Sequence, residues 1–283
     1  MTQFFSPAVT ERLEHNEDLL SGRDAEVTVL FCDIRGFSRI CERVGPQRTF
    51  DWINDVLTQL SECVMRTDGV LVDYVGDELM AMWGAPGDQP DHAALACQAA
   101  CEMLAQIEPL RQRWNEITPD TFGVGIGINT GPARVGNTGS NVKFKYGPLG
   151  NTVNLASRIQ GITKRFSVTA LVTEATARAV DRPTGIDFPL RRLATVRPFG
   201  VQESVTLYEL RADAGDDWQA LKASYEQALD CYHRGELDAM RDHFTHLETR
   251  FADDGPTRWL HQRLQEAVSG DTPIDPVWKL DSK

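Results

Sequence analysis

The chain has 283 residues, 41% of them hydrophobic and 25% charged, with a formal net charge of −12. That is ordinary globular composition with room for one large domain and an appendage, and an acidic chain argues against a nucleic-acid surface, which needs clustered Lys and Arg. No apolar run is long enough to span a bilayer, the N-terminus lacks a signal-peptide layout, and the six cysteines form no C-x-x-C pair, so buried reduced thiols in a cytoplasmic protein are the expectation.

Residues 1–23 read as a lead-in, with Val9, Leu13, Leu19 and Leu20 on an amphipathic stretch. It is either a plain N-terminal helix or the tail of a connector to an upstream sensor. Residues 26–32 are β-branched and aromatic and read as a buried strand. The spacing of Phe50, Ile53, Val56, Leu57 and Leu60 predicts a helix from Gly45 to about Met65. Two apolar runs flanking Gly76-Asp77 read as a β-hairpin with a tight turn. A long helix follows from about His92 to Trp114, then a strand over 122–131. Along that strand Gly123, Gly125 and Gly127 alternate, leaving one face bare for close packing. A helix over about Asn151–Arg165 comes next, and then strands near 168–173, 187–196 and 204–210.

The order β-α-β-β-α-β with further αβ additions predicts an α+β fold of the ferredoxin-like kind, over residues 24–212. Residues 213–283 differ. Trp218, Leu221, Tyr225, Leu229 and Tyr232, then Leu237, Met240, Phe244 and Leu247, recur at helical spacing. They predict two or three helices, packed on the main domain or on a partner.

Three groups of residues carry possible chemistry. Asp33 ends the first strand and Asp77 sits in the hairpin turn, so two carboxylates can meet at one edge of the sheet. Paired carboxylates with few other ligands suit Mg²⁺, which keeps water and phosphate as its remaining ligands. Taken singly, each aspartate also fits a plain turn residue. After Asp33, the backbone of Ile34, Arg35, Gly36, Phe37 and Ser38 turns into a helix, where successive N–H groups can cradle a triphosphate. Asn154 and Arg158 are four apart on one helix face, and an amide beside a guanidinium suits a ribose oxygen and a phosphoryl group. A solvated polar face is the alternative.

Taken together, the motifs VTVLFCDIRGFS, VDYVGDELMA, GINTGPARVGN and YGPLGNTVNLASR resemble the class III adenylate and guanylate cyclase catalytic domain over about residues 24–212. The resemblance implies a homodimer that binds a nucleoside triphosphate, with two Mg²⁺ or Mn²⁺ ions per site. Asp33, Asp77 and the Ile34 carbonyl of one chain would hold the metals. Asn154 and Arg158 would reach in from the other, to orient the ribose and to stabilise charge at phosphorus. A catalytically silent regulatory copy of the domain is the competing reading.

Two positions depart from the family pattern. The base-reading pair falls at Asp73 and Gly147, where adenylate cyclases carry Lys with Asp or Thr. A carboxylate faces the adenine N1 acceptor with repulsion and accepts well from guanine or uracil N–H, so Asp73 leans against the family preference for ATP; the alternative is that it points away or pairs with nearby Lys143 or Lys145. Gly147 is expected to leave room. The family's triphosphate Lys aligns with Phe199, which leaves Arg197, Arg35 or Lys143 as substitutes.

Overall fold

The computed structural model describes residues 22–118, 122–140, 144–181, 186–269 and 275–280. The lead-in at residues 1–21 lies outside them. Strand β1 (Arg23–Arg35) is buried on both faces from Val27 to Cys32, with Thr28 the one polar residue of that run. It pairs antiparallel with β3 (Glu78–Trp83) on one side and with β4 (Gly123–Gly139) on the other. Strand β2 (Val70–Val75) pairs with β3 across the predicted hairpin. The resulting order β2-β3-β1-β4 is the ferredoxin-like arrangement expected from the sequence. The sheet continues through β6 (Ala170–Thr173), which is parallel to β4, then β8 (Val205–Leu210), β7 (Leu190–Arg197) and β9 (Val277–Lys279).

Helices α2 (Pro46–Arg66) and α3 (His92–Arg113) cover one face. Their Trp52, Val56, Leu60 and Met103 pack with Leu30, Cys32 and Ile34, the even-numbered residues of β1. A short helix, α1 (Phe37–Val44), precedes them, and α5 (Glu174–Val180) follows β6. On the other face lies α4 (Asn151–Phe166). A Cβ on Gly127 would stand 2.2 Å from the Gln160 amide nitrogen and 2.6 Å from the Ala156 carbonyl oxygen, so the bare face predicted for β4 receives the helix backbone itself.

Strand β4 runs past the predicted end at residue 131. Its last residues pair with β5 (Phe144–Leu149), a strand hidden in the sequence by Gly147 and Pro148, which read as turn residues. This hairpin curls over the sheet, so that Tyr146 joins Val27, Val29, Phe31, Val70 and Val72 in a second core.

The C-terminal residues form α6 (Trp218–Arg234), α7 (Leu237–Phe251) and α8 (Gly255–Val268). They pack on the sheet. Tyr225, Leu229, Phe244 and Leu260 share a core with Ile159, Ile162 and Phe166 of α4 and with Leu193 and Leu207. Within this interface Arg191 is fully buried. Its Nε donates to Glu209 at 3.0 Å and its other nitrogens donate to Asp254 at 2.9 and 3.0 Å. Its guanidinium also lies 4.8 Å from the Tyr225 ring centroid. Asp254 caps α8 through the Thr257 N–H at 2.9 Å. All six cysteines are free, and Cys32, Cys63, Cys97 and Cys231 are buried.

Removing Arg191 leaves Glu209 and Asp254 as buried carboxylates without their cation. Arg191→Ala is expected to cost about 3–5 kcal/mol of unfolding free energy, read from urea denaturation at neutral pH.

Candidate active site

Asp33 is opposite Glu78 in the β1–β3 register, so Asp77, one residue earlier in the turn, comes against it. Gly76 makes that turn with φ of 67°, a left-handed conformation that a side chain disfavours. Burial, and then the neighbouring Asp33 carboxylate, push the Asp77 carboxyl above the usual carboxylate range. Pairing of β1 with β3 stops at Asp33, one residue before Ile34. The Ile34 side chain is buried in the core, which leaves its main chain beside the two aspartates. Among the described residues, no group of three or more His, Cys, Asp or Glu is placed to hold a metal. Two neighbouring carboxylates with no His or Cys ligand beside them fit a hard cation that completes its shell with water and polyphosphate oxygen.

The turn after Asp33 forms as predicted. Gly36 caps α1 at φ 81° and ψ 4°, and no side chain caps the helix. The first N–H groups of α1, from Phe37 and Ser38, are therefore open to an anion. Phe37 stacks on Trp52 with ring centroids 6.1 Å apart, which fixes this end of the helix. Arg35 does not serve the turn. Its guanidinium donates to the Val168 carbonyl, and burial lowers its pKa.

Asn154 and Arg158 line a cleft of about 750 Å³ together with Asn129, Thr130, Gly200 and Gln202. Helix α4 runs antiparallel to β4, since Thr152 lies against Gly131 and Thr163 against Gly125. The Asn129 side chain pins its start, donating to the Thr152 carbonyl at 3.0 Å and accepting from the Thr173 hydroxyl at 2.8 Å. Arg158 donates to the Phe199 carbonyl. The cleft therefore opens near Gly131, which pairs with Val27, whereas Gly125 pairs with Asp33. The cleft's strand residues, Asn129 to Pro132, begin about 14 Å from the Asp33 position at the rise of an antiparallel strand, and neither Asp33 nor Asp77 lines the cleft.

Asp73 is held by Lys145 of β5, with Nζ 2.8 Å from Oδ2, and by the Tyr74 N–H at 2.9 Å. The room expected at Gly147 is not there: a Cβ would come within 2.6 Å of Val72 Cγ1, because β5 folds onto β2. Arg197 is exposed at the end of β7, where its carbonyl accepts from the Leu280 N–H at 3.0 Å, and it does not line the Asn154–Arg158 cleft. Lys143 lies outside the described residues.

Sequence reasoning missed Lys164. Its Nζ is 3.2 Å from Asp33 Oδ2. The glycine alternation in β4 carried the missing signal, because a helix laid antiparallel on that strand ends beside the end of β1.

Residues 20–211 match the family model of the adenylate and guanylate cyclase catalytic domain, and the chain belongs to that family. An adenylate cyclase of Anabaena cylindrica is 31% identical over 212 residues, 74% of this chain and 41% of the relative. Among solved structures, the adenylyl cyclase CyaB from P. aeruginosa superposes with a TM-score of 0.62 at 26% identity, covering 69% of this chain and 98% of that one. The guanylyl cyclase Cya2 superposes with a TM-score of 0.58 at 28% identity, covering 67% and 93%. The chain spans less than half the length of the Anabaena relative. No helix of the described residues is long and apolar enough to cross a membrane.

Burial and the Asp33 carboxylate both disfavour the charged form of Asp77. Asp77→Asn is expected to raise the melting temperature of the metal-free protein by a few degrees and to abolish the further rise on adding Mn²⁺, both read by thermal scanning with and without the metal.

Proposed function

We propose that this chain closes a nucleoside triphosphate into its 3′,5′-cyclic monophosphate, with release of pyrophosphate, at sites shared between two copies. The observation that carries the reading is the separation of its two halves. The carboxylates lie at the end of β1 and do not line the Asn154–Arg158 cleft farther back along the sheet, so in this reading the other half of each site comes from a second chain. A symmetric pair supplies each half to the other.

In that site Asp33, Asp77 and the Ile34 carbonyl would hold two Mg²⁺ or Mn²⁺ ions, which when bound lower the pKa of the ribose 3′-hydroxyl and draw charge from phosphate oxygens. The N-terminus of α1 receives phosphate oxygens through its open N–H groups. Asn154 orients the ribose. Arg158, once it leaves the Phe199 carbonyl, meets the charge that grows on the α-phosphoryl group. The 3′-hydroxyl gives its proton to solvent, its oxygen bonds to the α-phosphorus, the bond from that phosphorus to the bridging oxygen breaks, and pyrophosphate leaves.

ATP is put first as substrate. The Asp73–Lys145 pair sets an ammonium donor beside a carboxylate acceptor, which suits the adenine N1 acceptor and its N6 donors. The repulsion that a bare Asp73 would present to N1 is thereby offset. GTP is the second reading, because guanine O6 and N1–H also offer an acceptor beside a donor.

Purified protein incubated in parallel with ATP, GTP, CTP and UTP is expected to yield cyclic AMP as the main product, identified by mass spectrometry. Cyclic GMP as the main product would move the assignment to the second reading. No cyclic product from any nucleotide, with Mn²⁺ present, would make the chain a silent copy of the domain. Asp33→Ala and Arg158→Ala are each expected to lower turnover by about 10³-fold or more. Mixed together, the two variants should recover roughly a quarter of wild-type activity, because half of the random pairs carry one intact site. No recovery in a verified mixed dimer would remove the shared site. Lys145→Ala, which leaves Asp73 bare, is expected to shift the ratio of kcat/KM values toward GTP by about tenfold, the worth of one mismatched hydrogen bond.

A further inference from the structure

Lys164 stands in the last turn of α4 and reaches the end of β1, where it pairs with Asp33 at 3.2 Å. The two partners differ in freedom. The Lys164 side chain is 62% exposed, on a flexible stem, whereas Asp33 is 21% exposed on a strand paired on both sides. The carboxylate is fixed and the ammonium can swing. Close by, three residues after Asp33, Gly36 opens the uncapped N-terminus of α1. Among the described residues, Arg35 is bonded to the Val168 carbonyl, Lys145 to Asp73, and Arg197 lies at the β7–β9 edge.

We propose that Lys164 is an exchange residue: it neutralises Asp33 in the metal-free chain, and turns to the terminal phosphates of the triphosphate when divalent ions take the two carboxylates. The inference rests on the two-carboxylate reading above. Its physical basis is competition. A divalent ion and an ammonium held on one carboxylate repel each other, so metal binding displaces the lysine. The displaced ammonium then lies beside the α1 turn, where a strongly hydrated point charge suits phosphate oxygens.

The exchange gives opposite signs for two probes, which a merely structural lysine cannot do. In isothermal titration of the full chain, Lys164→Met is expected to bind Mn²⁺ alone about three- to tenfold more tightly, because a competitor is gone. The same variant is expected to bind inorganic tripolyphosphate, in saturating Mn²⁺, about tenfold more weakly. Lys164→Arg, which keeps the charge, should stay within about threefold of wild type for tripolyphosphate. Weaker binding of both probes by Lys164→Met would make the residue structural, and unchanged binding of both would make it a bystander. Either result overturns the inference. Asp33→Ala is the control that separates it from the reading on which it rests. If that variant binds Mn²⁺ as wild type does, the two-carboxylate site itself falls. If it loses Mn²⁺ while Lys164→Met matches wild type, the Lys164 inference alone falls.

Discussion

The position of α4 against β4 is set by two hydrogen atoms, those that stand in place of side chains on Gly125 and Gly127. A methyl group on Gly127 would overlap the backbone of Gln160 and Ala156, and one on Gly125 would come within 2.7 Å of the Thr163 hydroxyl. The helix therefore rides on the strand backbone rather than on a layer of side chains. Everything that α4 carries takes its place from that contact. Its last turn falls beside Asp33, and its first half presents Asn154 and Arg158 to the cleft around Thr130 and Gly200.

The helix is pressed from its outer side as well. Phe166 is buried among Trp259 and Trp278, with ring centroids 4.8 and 6.4 Å away. Gly255 at the start of α8 fits against the Phe166 carbonyl and the Ser167 side chain, where a Cβ would come within 2.5 and 2.6 Å. Arg191, with Glu209 and Asp254, ties that loop to the sheet. The C-terminal helices thus form the outer wall of the groove in which α4 sits, and their apolar faces share a core with it.

Much of this was legible in the sequence. Apolar runs around Gly76-Asp77, alternating glycines in β4 and helical spacing in α2 and α6 are local patterns, and local patterns survive reading residue by residue. The meeting of Asp33 and Asp77 followed from topology alone, since hairpin and first strand are neighbours in this fold. What was hidden is long-range. The loss of room at Gly147 depends on β5 folding across to β2, and so does the Asp73–Lys145 pair, which the sequence offered only as one alternative for Asp73. Arg35 differs from expectation for a similar reason: its neighbours in sequence form the turn into α1, but its guanidinium is satisfied by Val168, on a distant segment. Strand β9 has three residues and adds to an edge created by β7, so its existence depends on a surface that is assembled first.

A rigid rod cannot be moved at one end only. Helix α4 has sixteen residues and is about 24 Å long at the rise of an α-helix. In the pairing proposed above, its last turn faces the metal end of its own chain while Asn154 and Arg158 serve the site completed by the partner. Ligand in either site then loads the same rod. In such a dimer the same rod would border both sites, so any shift of it caused by ligand in one would be felt in the other. The sign of their coupling would be set by whether both ligands favour one axial position of α4, and by linkage each site would feel the other to the same degree.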